Sequence, residues 1–537
     1  MKYYIYIMII AMAFTQGCDL DQVSDDFDLR ISPELMDNSA MLNIFNGADP
    51  AEFPENVKLT VLSDNAEDVF EMAGSKDLDV IDGRIGIGLH PRLKPQENAP
   101  VLVDLLIEAE GYLDKRVSVS FVAGEETNII EIPLVDTDNP PTGVNFTGGN
   151  APLDNGTLDQ EVNLELLPDN GSSTGMKLNL KPGTEFLDED GNKLDGTNLD
   201  IQMGHFSPET AEAVETFPGG LSPDSVELAD GTAESGGFVS AGFTSVDMQV
   251  NGQDVKNFSE PITITMDVSS ETVNPNTGEV VQLGDIIPVW SFDQEKNIWK
   301  YETDGVITQG DNGLVIEYEA THLSWWNLDY YGRRCCGYTW TRVNGRWEFE
   351  FTPCATINVN MPGFTQENGQ YFEMRILYAG TNRLFRRRSK RLFDGQTIKL
   401  RNVPSFDVEI KVFDRSTGEE VGSTGRTNLC SGTIELNVNA EPPQLISLDA
   451  EGICTTEDQL VVRPTFWVFY RPTQSQSFFR WLGYMKNGRL STTDLSLNTE
   501  YEFCAYYDGE RVCTIQTITQ AENEISIELP TDFCDAI

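Results

Sequence analysis

Apolar and polar residues alternate with a period of two through most of this 537-residue chain, and Gly, Asn, Asp or Pro cuts the alternation every few residues. Val117-Ser118-Val119-Ser120-Phe121 and Ile262-Thr263-Ile264-Thr265-Met266 are typical. A strand puts successive side chains on opposite faces, so such runs make half-buried strands and cannot give a helix one apolar stripe. The pattern predicts an all-β chain, with several β-sandwich modules in series. Pro140-Pro141 and Pro442-Pro443 read as linkers between modules.

The N-terminus breaks this pattern. Lys2 precedes an unbroken apolar and aromatic run from Tyr3 to Phe14, and Thr15-Gln16-Gly17 then leads to Cys18. The run is too short to span a bilayer and has the order of a secretory signal, with small Gly17 just before the cut. The segment resembles the lipobox of bacterial lipoproteins, although Thr15 stands where that pattern usually has Leu. The resemblance implies a lipid on Cys18, a membrane as partner and an outer-membrane, surface-exposed location. Two or more acyl chains hold a protein firmly where one does not. The acidic stretch Asp19, Asp21, Asp25, Asp26 and Asp28 reads as a tether. It is similar to the export signal of Bacteroidetes surface lipoproteins.

The expected division is a signal peptide (1–17), the acidic tether (18–28) and modules at 29–137, 143–331, 333–440 and 445–537. In the first, GYLDKRVSVSFVAGEETNIIEIPLV (111–135) resembles the carboxypeptidase-regulatory, transthyretin-like sandwich, which carries no catalytic residues of its own. In the second, Trp290, Asp293, Trp299, Trp326 and Asn327 lie in segments that resemble the extracellular region of cartilage intermediate layer protein and astroprincin. That resemblance implies a structural or interaction role. The last two modules read as a weak duplication, with 406–421 matching 500–513.

Charge narrows the partners. The formal net charge is -49. Residues 1–332 hold 15 Lys+Arg and 60 Asp+Glu, a net of -45. Such a surface repels nucleic acid. With three histidines in separate segments, a histidine metal site is not expected, and no cofactor is. Asp188, Asp190 and Asn192 have calcium-loop spacing, but Lys193 and Leu199 occupy positions where that loop needs Gly and Glu, so a hairpin turn is the expectation. Gly83, Gly86 and Gly88 alternate without a following helix, which argues against a dinucleotide site.

Two features can carry binding. Arg383, Arg386, Arg387, Arg388, Lys390 and Arg391 crowd nine residues. They read either as guards of an exposed sheet edge or as a dock for an anion: a headgroup, an acidic polysaccharide or the chain's own acidic modules. Phe466, Trp467, Phe469, Tyr470, Phe478, Phe479, Trp481 and Tyr484 read as sandwich core or as a sugar-stacking platform.

Eight cysteines follow Cys18, all between Cys335 and Cys534, as in a disulfide framework of an exported chain. Asp508-Gly509 suits a two-residue hairpin turn, and counting outward sets Cys504 opposite Cys513 at a non-hydrogen-bonded position. The same count from Asn344-Gly345 pairs Cys335 with Cys354, with Cys336 as competitor. No nucleophile elbow, zinc helix or phosphate loop occurs. The expectation is a non-enzymatic structural, adhesive or scaffolding envelope lipoprotein whose partner is a polysaccharide or another envelope protein. Two alternatives stay open: a glycan-binding component of a surface uptake system, and a hydrolase using paired carboxylates.

Overall fold

The computed structural model describes residues 38–528, apart from 73–74, 98, 124–127, 224, 295–296, 344–345, 416, 443, 454–460, 464, 475–478 and 508–509. The expected signal peptide, Cys18 and tether, and also Cys454, Phe478 and Cys534, lie outside the described residues. The chain is all-β, built of paired sheets.

The alternation works as expected. In Val101–Glu108, every second residue (Val103, Leu105, Ile107) is fully buried. Each fully buried Leu or Ile contributes about 1.5–3 kcal/mol, offset by the entropy of ordering it. These residues face Leu42, Ile44 and Ile87 across the first module's two sheets. One sheet holds Val69–Glu71, Arg84–Leu89, Ser39–Asn46 and Asn128–Leu134, and the other Lys58–Val61, Val101–Glu108 and Lys115–Phe121.

One arrangement recurs in the first, third and fourth modules. The opening strand pairs in parallel with the closing one: Ser39–Asn46 with Asn128–Leu134, Thr356–Asn360 with Thr433–Val438, and Ile446–Ile453 with Glu522–Glu528. The third and fourth modules also share a four-strand run of two adjoined hairpins, which is a separate sheet in the fourth but continues through Thr433–Val438 into one seven-stranded sheet in the third. The order of the run is Leu384–Leu392, Gln370–Tyr378, Asp407–Asp414, Glu420–Asn428 in the third. In the fourth it is Arg480–Met485, Phe466–Pro472, Thr499–Tyr507, Glu510–Ile518. The segments that match in sequence thus occupy equivalent strands.

The second module is larger, with a twelve-stranded and a six-stranded sheet around Phe186, Phe206, Phe238, Trp299 and Trp326. It is continuous with the third. Trp325–Val343, 19 residues long, pairs with Gly236–Val250 and Ile286–Asp293 through its first half, and with Arg346–Thr352 and Val403–Pro404 beyond. The division expected at 331/333 falls inside this strand, and one apolar cluster runs from Val135 to Val438.

The disulfides follow from these registers. Cys504 lies opposite Cys513 with Cα atoms 4.1 Å apart, and the two are bonded. The expected Cys335–Cys354 bond is corrected: Cys335 bonds Cys430 and Cys336 bonds Cys354. Regular pairing of the hairpin stops at Gly337 and Thr352, Gly337 has φ +98°, and the register slips between Arg334 and Cys336. Simple counting therefore fails one step short of the cysteines. Successive strand residues also point to opposite faces, so only one of the adjacent pair reaches Cys354.

Candidate functional site

Leu384–Leu392, which carries most of the basic run, is an edge strand paired, among the described residues, only with Gln370–Tyr378. Its cations turn largely inward to carbonyls and carboxylates of the same chain. Arg383 donates to the Ser240 carbonyl and the Thr272 hydroxyl, both at 3.0 Å, across the boundary with the second module. Arg386 donates to the carbonyls of Arg401 (2.9 Å) and Asn402 (2.8 Å). Arg391 donates to the carbonyls of Gly369 and Glu367. Arg388 is exposed and Lys390 half-buried.

Arg387 belongs to a junction of three modules. Its guanidinium meets the Glu215 carboxylate at 2.7 Å and the Glu373 carboxylate at 3.9 Å. Lys115 of the first module donates to the Glu215 carbonyl (2.8 Å) and the Pro133 carbonyl (2.9 Å). Burial pushes the Lys115 ammonium down to about 8, against the pull of Glu215, and burial raises the Glu215 carboxyl. Behind Arg383, Asp329 is fully buried, accepts from the Asn327 amide, and is held well above the usual carboxylate range by desolvation. The anion that engages Arg387 is thus internal, and Arg383 is held by a neutral carbonyl and hydroxyl of the second module.

The aromatic series serves a second joint. All four residues of Trp467-Val468-Phe469-Tyr470 are buried, which a strand achieves only when both its faces are covered. Val468 and Tyr470 join the fourth module's own core. Trp467 and Phe469 point the other way, into a cluster with Phe479, Cys504, Trp481 and Tyr484 that closes on Met41, Met72 and Ile129 of the first module. Tyr371 of the third module meets Trp481 edge-on at 4.8 Å.

The first module receives this cluster through Arg84–Leu89. Ile85, Ile87 and Leu89 fill its own core, while Gly86 leaves a flat place on the opposite face. A Cβ on Gly86 would stand 3.1 Å from Trp467 Nε1 and 3.0 Å from Met72 Sδ. Arg84, 6% exposed, donates to the Phe479 carbonyl at 2.6 Å, and its guanidinium stacks over Phe53 (4.7 Å) and Phe469 (4.9 Å). Arg511 pairs with Asp82 at 2.7 Å beside it. Sequence reasoning missed this joint. Its signals were present: four consecutive large apolar residues in one strand, facing an Arg-Ile-Gly-Ile-Gly strand elsewhere.

The remaining candidates resolve as structure. Trp290, Trp299, Trp326 and Trp467 are buried, and Trp325 and Trp481 are half-buried. Asp188 spends its carboxylate on the Asn192 backbone (2.7 Å) and side chain (3.1 Å), which closes the turn. No helix among the described residues is long and apolar enough to cross a membrane.

No family model matches the chain, and no curated protein does. The resemblances drawn from 111–135 and from the tryptophan segments therefore find no counterpart there. Among solved structures the chain is similar to the minor pilin GBS52 of Streptococcus agalactiae, with 10% identity, 33% of this chain and 97% of the pilin covered, and TM-score 0.13. It is also similar to a streptococcal ancillary pilin, with 12% identity, 48% and 96% covered, and TM-score 0.14. For BcpA, the major pilin subunit of Bacillus cereus, identity is 9%, coverage 75% and 99%, and TM-score 0.14. TM-scores at this level carry no argument about function.

Proposed function

We propose that this chain is a lipid-anchored structural or scaffolding protein of a bacterial cell envelope. It would be held to the membrane through Cys18 and present a stiff body of joined β-sandwiches. One observation carries the scaffolding part: several of the residues that a glycan or polyanion binder would display are committed to joints between modules. Trp467 and Phe469 are buried against the first module, and Arg383 and Arg387 are engaged by the second. An assembly whose modules share a strand and cross-pack resists bending better than beads on linkers, which suits a spacer or scaffold. The lipobox-like Thr15-Gln16-Gly17-Cys18 carries the anchoring part.

Cys18→Ala tests the anchor. Wild-type cells fed an alkynyl fatty acid should label the protein and retain it in the membrane fraction, and the variant should lose both properties. A wild type that takes up no label, with a variant still bound to membrane, refutes anchoring. Saturable binding of an envelope polysaccharide to the unlipidated body would replace scaffolding by glycan recognition.

A further inference from the structure

Seven large apolar residues stand most exposed among the described residues, and four of them fall between Val280 and Val306: Val280 (48%), Leu283 (58%), Ile286 (49%) and Val306 (47%). The other three, Leu62, Leu167 and Ile515, are scattered singly, as on any soluble surface. Ile286 and Val306 are cross-strand partners at the mouth of one hairpin. Their neighbours Ile287 and Ile307 are buried, so the pair occupies the outer face by strand alternation.

Leu283 is held beside them. The turn is closed by Asp285 N–H on the Gln282 carbonyl (3.1 Å) and by Gln282 N–H on the Asp285 carboxylate (2.8 Å). Gly284 N–H donates to the Ile307 carbonyl and Ile307 N–H to the Asp285 carbonyl, both at 2.9 Å. These bonds lash the turn to the hairpin, so the leucine is presented in a fixed place at little ordering cost on binding.

The surround is acidic. Glu279 and Asp304 are exposed and Asp285 is half-buried. Residues 257–332 hold 13 Asp+Glu against two lysines, Lys296 and Lys300. A second copy of the same face, or an anionic lipid surface, would meet like charge. Aliphatic side chains also offer a sugar ring no aromatic face to stack on.

We infer that the tip formed by Leu283, Ile286 and Val306 docks a cationic amphipathic segment of another protein, apolar side chains on the aliphatic patch and Lys or Arg on the carboxylates around it. This tip is a docking surface on the scaffold, and it operates whether or not the chain is lipidated.

The test uses the full chain carrying Cys18→Ala, so that failure of the anchor cannot affect it. The probes are a fluorescent Leu/Lys amphipathic peptide and a Ser/Lys peptide of equal charge. The chain should bind the Leu/Lys peptide more tightly. The double change Leu283→Asp with Ile286→Asp should weaken that binding on the order of tenfold, although it adds two negative charges. Leu167→Asp, at an exposed leucine elsewhere, should not weaken it. If attraction is merely electrostatic, the double variant binds as well as wild type or better, and the proposal is overturned. Concentration-dependent dimerisation of wild type that the double variant abolishes would likewise overturn it, because the patch would then be a self-interface.

Discussion

Arg84→Ala should open the joint between the first and last modules while leaving each module folded. Arg84 lies on a strand whose other face supplies the first module's core, but its guanidinium reaches across to the Phe479 carbonyl and stacks over Phe469. A hydrogen bond from a charged donor is worth about 1.5–3 kcal/mol, and each cation–π contact about 0.5–2 kcal/mol when partly desolvated. One contact over Phe53 stays within the first module, so the share that crosses the joint is about 2–5 kcal/mol. At about 1.4 kcal/mol per tenfold, a loss near 3 kcal/mol raises the open population roughly a hundredfold. The variant also leaves a buried carbonyl without its donor, which adds to the cost. Hydrogen exchange resolved by segment is the assay. Protection in 480–485 and in 84–89 should fall together, while protection in 101–108, inside the first module, stays unchanged. Arg84→Lys should fall between, because an ammonium keeps the charge but cannot stack as a plane. Unchanged protection at the joint in Arg84→Ala would refute the coupling argued here.

Non-reducing peptide mapping should recover Cys335 with Cys430, Cys336 with Cys354 and Cys504 with Cys513. Replacing Cys504 and Cys513 together by Ser should lower the fourth module's stability by about 2–3 kcal/mol, as expected for a loop this short, measured by urea unfolding. A double-mutant cycle on Arg387 and Glu215 should give a coupling of about 1 kcal/mol, since their side chains are 29% and 21% exposed and solvent screens them in part. Gly86→Val should disturb the joint as Arg84→Ala does, because its side chain would meet Trp467 and Met72.

What the sequence disclosed depended on range. The Val101–Glu108 alternation needs only neighbours to be read, and so does the Cys504 hairpin, where the turn and both cysteines lie within ten residues. Cys335 needed Cys430, 95 residues away, brought close by a strand that belongs to two modules at once. No local count reaches that far. The basic run was legible as a cluster but not by destination, because Ser240, Glu215 and Asn402 become its neighbours only once sheets pack. The aromatic series was legible as buried. That half of it serves another module follows from both faces of Phe466–Pro472 being covered, a pattern that a surplus of large apolar residues records without naming the partner.

The same long-range packing sets two opposed responses to pH. His205 of the second module is fully buried with both ring nitrogens unpartnered, and desolvation holds it down to about 4, only partly opposed by Glu209. Between pH 6.5 and about 4 the unfolded chain takes up a proton that the folded one refuses. Its contribution is therefore complete above pH 6.5 and lost on acidification, by about 3 kcal/mol in all. Asp494 of the fourth module behaves in reverse. Burial pushes its carboxyl up to about 6 despite Arg415 and Arg480, so the folded state holds the proton longer. That contribution is complete below pH 3.8 and lost as pH rises through about 6. Asp494→Asn, which keeps the shape without the charge, should stabilise the fourth module at pH 7 by at most about 3 kcal/mol and do nothing at pH 3.5. His205→Phe should flatten the second module's loss of stability below pH 6.5. Urea titrations across this range, followed by segment-resolved hydrogen exchange, separate the two modules. If both variants change pH dependence in the same direction, burial of these two groups does not govern it.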